Sequence, residues 1–303
     1  MIKRIVIPGG SGFLGQALID HWAARDYEIV VLTRSSTATN SQARFIQWDG
    51  KTLGDWSAWL EGAEAIINLT GKSVNCRYTP KNRNEIIASR VNSVNAIGQA
   101  IQRCTQPPNV WIQASSLAIY GDAGDRICDE SAPYGQGFPV ETCIVWEQAL
   151  AALSLAHIRT VALRIGFALN RSGGAFGPLK NLAKFFMGGT AGSGKQYVSW
   201  IHINDLNRMF DWCLERDDLS GVFNATSPRP MTNAEFMRAI RHVLHRPWSP
   251  PIPSWAVQFG SIILRTEAEL VLRGRRCIPK RFSDLDFKFE FPELIPALQN
   301  LTA

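Results

Sequence analysis

The stretch Pro8-Gly9-Gly10-Ser11-Gly12-Phe13-Leu14-Gly15 leaves the chain few folds to adopt. It follows an apolar run at residues 4–7 and opens a segment in which Leu14, Leu18, Ile19 and Trp22 share one helical face. Glycines at 9, 12 and 15 form the G-x-x-G-x-x-G variant of the dinucleotide fingerprint. Gly9 permits a tight turn, Gly12 lets the backbone approach a pyrophosphate, and Gly15 lets the helix pack close to the sheet. The helix N-terminus then presents free N–H groups and partial positive charge to the anion. A glycine triplet alone is a weak signal, but one set between a strand and an amphipathic helix is strong. Gly9, Gly10, Ser11, Gly12, Phe13, Leu14 and Gly15 are therefore the expected cofactor contacts.

The rest of the first half agrees. Apolar runs at 4–7, 28–33, 44–48, 65–69, 110–114 and 160–165 alternate with helical patterns, which predicts βαβ units and a parallel sheet. The runs are nearly continuous, as strands covered on both faces require. Thr79-Pro80 predicts a helix start whose seam runs Ile87, Val91, Val94, Gly98, Ile101. After residue 168 the texture changes to a glycine-rich stretch, then short strands at 197–201 and 222–225. Thr232-Asn233-Ala234-Glu235 is a capping box that opens a helix with Phe236, Met237, Ile240, Val243 and Leu244 inward. The expected fold is α/β: a Rossmann-type doubly wound sheet over 1–168, completed by parts of 196–228, with a smaller substrate lobe mainly in 169–303.

The second strand selects the cofactor. Where an NAD site carries Asp or Glu, this chain reads Thr33-Arg34-Ser35. A carboxylate would repel a 2′-phosphate, whereas a guanidinium grips it through two hydrogen bonds. Thr33 and Arg34 thus predict NADP, with NADPH preferred over NADH.

Composition bounds what remains. Six cysteines lack Cys-x-x-Cys spacing and a nearby His pair, so a zinc site is not expected. The longest apolar stretch, 252–264, contains Gln258 and falls short of the ~20 residues a membrane span needs. With no leader-like start, the expected setting is the cytoplasm, without membrane partners. The net charge of +6 favours anionic partners without singling out nucleic acid. The cluster Arg273, Arg275, Arg276, Lys280 and Arg281 has no interleaved aromatics to stack bases, so it reads as a solvated face or a wall attracting an anionic substrate.

Several strings resemble the extended short-chain dehydrogenase/reductases and sugar-nucleotide epimerases: Gly9 to Gly15, Asn68-Leu69-Thr70-Gly71, Ser115-Ser116-Leu117-Ala118-Ile119-Tyr120-Gly121 and Trp200-Ile201-His202-Ile203-Asn204-Asp205-Leu206. Arg164-Ile165-Gly166, Gly192-Ser193-Gly194-Lys195-Gln196 and Phe289-Glu290-Phe291-Pro292-Glu293-Leu294 resemble an atypical branch, epimerase-family proteins with a C-terminal domain of unknown function. The resemblance covers nearly the whole chain. It implies a sheet of order 3-2-1-4-5-6-7 and a monomer or homodimer. It also implies that Leu69, Thr70 and Gly71 border the adenosine ribose, that Glu85 and Arg90 face the cofactor, that Gly166 belongs to the cofactor site, and that Ser116 binds a substrate oxygen.

The resemblance breaks at the proton-transfer pair. Short-chain dehydrogenases use Tyr-x-x-x-Lys, in which the ammonium lowers the phenol pKa. Aligning Glu147 with the acidic residue that follows the lysine puts Cys143 at the lysine and Pro139 at the tyrosine. Ser116, Tyr120 and Cys143 are the remaining catalytic candidates. Tyr120 also reads as a packed aromatic, Cys143 as an inert buried thiol, Tyr134 as an exposed turn residue and Glu141 as a solvated helix-start carboxylate. His202 is expected to link backbone segments under the site, and Asp205 to cap the next helix. Three activities stay open: an NADP-dependent oxidoreductase on an unidentified carbonyl or alcohol, a cofactor-binding sensor or docking module without turnover, and a nucleotide-sugar epimerase.

Overall fold

The computed structural model describes residues 3–153, 155, 157–263 and 265–303. Seven strands form one parallel sheet: β1 (Lys3–Pro8), β2 (Tyr27–Thr33), β3 (Arg44–Gln47), β4 (Ala65–Asn68), β5 (Val110–Ser116), β6 (Arg159–Ile165) and β7 (Gly221–Ala225). Their spatial order is β7-β6-β5-β4-β1-β2-β3, so the chain is a doubly wound α/β protein as expected. The central strands are buried on both faces; Ile5, Val6, Ile7, Ile66, Ile67 and Ile112 have no exposed surface. That is why their sequences run apolar without alternation.

Helix α1 (Phe13–Trp22) packs on α5 (Ile203–Glu215), while α2 (Pro80–Ile101) packs on α3 (Phe138–Ala151). The α2 seam differs from the one expected. Ile86, Ser93, Val94, Ile97 and Gly98 are buried, whereas Ile87 and Val91 are only half-buried. The reason is polar: Asn68 donates to Ser93 Oγ at 3.3 Å and to Gln113 Oε1 at 3.0 Å, so a serine faces the core where apolar periodicity would not put one.

A second apolar cluster joins α4 (Phe176–Lys184), α6 (Asn233–Val243) and α10 (Leu294–Thr302) around Trp200, Phe236, Met237, Ile240 and Leu298. The capping box of α6 is present, with Thr232 and Glu235 bonded reciprocally. Val243 and Leu244 are half-buried against the cluster. The strand expected at 197–201 is two pieces: Tyr197–Val198 pairs antiparallel with Met231–Thr232, and Trp200–His202 pairs parallel with Phe167–Leu169. Between α6 and α10 lie α7 (Ser254–Ile263), α8 (Glu269–Leu272) and α9 (Lys280–Asp284). Among the described residues, no helix is long and apolar enough to cross a membrane.

Strand order reverses between β1 and β4, which opens a crevice at their carboxyl ends. The Gly9 turn leaves one wall of it, and Leu69-Thr70-Gly71 leaves the other.

Candidate cofactor cleft and adjoining cavity

At the crevice the turn is fixed by backbone alone. Gly9, at φ +77°, donates to Leu32 O at 2.9 Å; Gly10 donates to Ile7 O at 3.0 Å, and Gly12 to Gly9 O at 3.2 Å. A Cβ on Gly9 would lie 2.8 Å from Thr70 N, and one on Gly15 would lie 2.2 Å from Gly10 O. The close approach that Gly15 allows is therefore to the turn itself rather than to a strand. A Cβ on Gly12 would meet only Gly9 O, at 3.5 Å, so that position faces open space. Gly12 is also the N-cap of α1 and supplies no capping side chain, which leaves first-turn N–H groups directed at the crevice. Across it, the buried Thr70 hydroxyl has no hydrogen-bond partner. A backbone cradle with an orphaned hydroxyl opposite fits a diphosphate and its ribose. The glycine loop of residues 173–174 closes on the Phe13 ring, where a Cβ on either residue would come within 2.9 Å.

Ser11 Oγ lies 2.9 Å from Thr33 Oγ1, joining the turn to the end of β2. Arg34 beyond it is exposed. Glu85 is exposed on α2 and ion-paired with Lys72, whose hydrogen bond lowers the pKa of its carboxyl. Arg90 reaches inward instead. It donates to Lys72 O at 3.1 Å and Ile86 O at 2.9 Å, and its guanidinium lies 4.9 Å from the Trp146 ring centre. A Cβ on Gly71 would press within 3.1 Å of that guanidinium. Gly166 serves close packing: a Cβ there would lie 2.5 Å from Ser199 O.

Arg90 links the crevice to a cavity of ≈ 240 Å³. Ser116 from the end of β5 lines it, as do Pro139 and Cys143 from α3. The resemblance thus locates the disrupted proton-transfer positions in one chamber with Ser116. Ser116 accepts from Ala118 N at 3.1 Å and so caps the short 3₁₀ turn that follows. Burial, with the Glu147 charge, pushes the Cys143 thiol up to about 12, so it stays protonated. The charges of Arg90, Arg275 and Arg164 pull the other way, less strongly than burial.

Tyr120 does not line the cavity. It is fully buried, donates to Asn224 Oδ1 at 2.8 Å and accepts from Arg164 Nη1 at 2.8 Å. Burial raises its phenol to about 12. Its role in the structure is a packed, doubly bonded aromatic. The same buried network pairs Arg164 with Glu147 at 2.7 Å, and Ser115 donates to Glu147 at 2.6 Å. Tyr134 is exposed in its ring, yet its hydroxyl accepts from Arg164 at 3.2 Å.

His202 is the N-cap of α5: its Nδ1 accepts from Asn204 N at 3.1 Å, its Nε2 lies 3.2 Å from Asn300 Oδ1, and its ring stacks on Phe291 at 3.9 Å. Burial holds its pKa down at about 4. Asp205, expected as that cap, sits in the first turn of the helix and accepts from Glu290 N and Phe291 N at 2.7 and 2.9 Å. The imidazole can cap because the backbone turns into helix directly after it, which frees the carboxylate to hold the tail.

The basic cluster does not form one face. Arg273 and Arg275 line the cavity, Lys280 pairs with Asp284 at 2.6 Å, and Arg281 packs 3.7 Å from the Phe223 ring centre. Tyr78 and Trp146 also line the cavity without having been expected there, whereas Arg275 was expected only within a basic cluster read as a solvated face or a wall attracting an anionic substrate. Tyr78 precedes the cap of α2, and its ring packs edge-on to Phe138 at 4.8 Å. Its place beside the Thr79-Pro80 helix start was the only signal available.

A family model described as "NAD dependent epimerase/dehydratase family" matches residues 5–225, and one for a domain of unknown function, DUF1731, matches residues 252–301. Epimerase family protein YfhF of Bacillus subtilis is 33% identical over 99% of this chain and 98% of its own length. Human epimerase family protein SDR39U1 is 31% identical over 99% of this chain and 100% of its own. A crystal structure of the human protein (isoform 2) with NADPH superposes with a TM-score of 0.88 at 31% identity, covering 98% of each chain. UDP-N-acetylglucosamine 4-epimerase from Bacillus cereus, at 17% identity and a TM-score of 0.74, shares the fold. With a doubly wound sheet, a glycine turn at its switch point and matches over nearly its whole length, the chain belongs to the NAD-dependent epimerase/dehydratase family, with a C-terminal DUF1731 region.

Proposed function

We propose that the protein is an NADP(H)-dependent oxidoreductase acting on a small carbonyl or alcohol. The observation that carries this reading is the junction at Arg90, which touches Gly71 at the crevice and lines the cavity that holds Ser116. Backbone N–H groups from Gly9 to Gly15 hold the pyrophosphate, Thr33 and Arg34 the 2′-phosphate, and Leu69, Thr70 and Gly71 the adenosine ribose. The NADPH-bound human relative supports that choice. When bound, NADPH supplies hydride chemistry, two electrons and one hydrogen for a carbonyl carbon. The Ser116 hydroxyl holds the carbonyl oxygen and passes it the balancing proton, which solvent replaces. The guanidinium of Arg90 stabilises negative charge developing on that oxygen. Six free thiols suit a reducing compartment such as the cytoplasm.

Pro139 and the protonated Cys143 favour a second reading, a cofactor-binding module without turnover. NADPH absorbance followed over a carbonyl panel separates the two. Consumption abolished by Ser116→Ala supports the reductase; saturable NADPH binding with no consumption supports the module. Conversion of a nucleotide sugar without net cofactor change would point to an epimerase. Arg34→Ala should lower the NADPH/NADH affinity ratio at least ~10-fold, the loss of a charge-assisted contact of ~1.5–3 kcal/mol. An unchanged ratio would remove Arg34 from the site.

A further inference from the structure

We infer that the cavity beside Ser116 takes a compact carbonyl compound bearing one anionic oxygen group, a carboxylate or a phosphate, rather than a nucleotide sugar. The identity of the reacting group rests on the oxidoreductase reading; the binding of the anion does not.

Charge is the first argument. Glu269 is offset by Arg273 at 3.1 Å; Asp122 accepts from Gly274 N at 3.2 Å but keeps its charge, so Arg90, Arg273 and Arg275 leave the lining one positive charge in excess. Arg90 and Arg275 have no carboxylate partner among the described residues, and the hydrogen bonds of Arg90 go to backbone carbonyls. Partly desolvated guanidiniums without a counter-charge favour an anion strongly.

Unmet hydrogen-bonding capacity is the second. Among the described residues six buried side-chain polar atoms have no partner, and three of them, Tyr78 Oη, Trp146 Nε1 and Arg275 Nε, belong to walls of this one cavity. The indole and guanidinium nitrogens can only donate. These three atoms have almost no accessible surface, so an acceptor reaches them only when their side chains shift toward the cavity. Native interiors leave few such groups unpaired, and a cluster of donors calls for an acceptor-rich ligand. Burial also raises the Tyr78 phenol to about 12, which keeps it a donor at neutral pH.

Size is the third. At ≈ 240 Å³ the cavity falls below the ~300–1,000 Å³ usual for ligand pockets. The carbonyl oxygen would face Ser116 and the anionic group Arg275 and Trp146.

Calorimetry on NADP⁺-loaded protein, in which no reduction can occur, tests this with two matched pairs: 2-oxobutanoate against its methyl ester, and glyceraldehyde 3-phosphate against glyceraldehyde. The expected result is at least tenfold tighter binding of the anion in one pair, which also says whether carboxylate or phosphate is preferred. That advantage should vanish in Arg275→Met, persist in part in Arg275→Lys, and shrink several-fold in Trp146→Phe, with thermal melts showing that each variant folds. Equal binding of charged and neutral partners in both pairs overturns the inference, as does tighter binding of UDP-glucose than of either anion. Anion binding without NADPH consumption leaves the subsite standing and removes the oxidoreductase reading. Ser116-dependent reduction of neutral carbonyls with no anion preference does the reverse.

Discussion

Arg164 enters the core as a full charge, with its side chain only 2% exposed, and Glu147 matches it there. Burial alone would lower its pKa, but the Glu147 hydrogen bonds and charge outweigh burial and raise it. Tyr120, Tyr134 and Ser115 then occupy the remaining sites of the pair. Glu147→Gln would leave a buried guanidinium without its counter-charge, which is expected to cost ~3–5 kcal/mol in chemical denaturation. A loss under ~1 kcal/mol would mean that Arg164 relaxes to solvent. At this scale the sequence was least legible. Tyr120 has the right chemistry for proton transfer, and only its two hydrogen bonds reveal that the phenol is committed. Arg164 was visible as part of a motif, but its partner lies 17 residues away, on a neighbouring helix.

Turn and helix make a unit at the element scale, and its glycines separate by function. Gly15 abuts backbone, so Gly15→Ala must displace the turn. An expected destabilisation of ~1–3 kcal/mol, as for overpacking, should accompany weakened NADPH binding. Gly12 has room within the protein, so Gly12→Ala should leave the melting temperature nearly unchanged and weaken NADPH alone. Thermal melts with NADPH titrations distinguish the two; equal destabilisation by both variants would contradict this division. Elements built from local rules were legible: all seven strands of the sheet and the capping box of α6 came from apolar runs and caps. The α2 seam was not, because the Ser93–Asn68 hydrogen bond depends on a strand 25 residues earlier.

Across the whole molecule, His202 joins α5 of the sheet layer to Asn300 of the terminal helix and to Phe291 of the tail. Its imidazole titrates near 6.5 when unfolded and at about 4 in the fold. Above 6.5 it is neutral in both states and stability does not depend on it. As pH falls through that window the unfolded chain takes up a proton that the folded chain refuses, so stability drops, by ~3 kcal/mol below pH 4. His202→Asn keeps a capping acceptor and removes the titration. The fall in unfolding free energy between pH 7 and pH 4.5 should shrink by ~2 kcal/mol relative to the parent; equal falls would exclude a buried neutral imidazole. By itself the sequence determined the sheet, the glycine turn and the likeness to one family, because strand burial, turn geometry and helix caps are written in neighbouring residues. Only the tertiary structure decided that Tyr78, Trp146, Arg90 and Arg275 share a chamber with Ser116 and that Tyr120 does not. Those contacts join segments up to about 200 residues apart in the chain, where no local pattern carries information about which side chains meet.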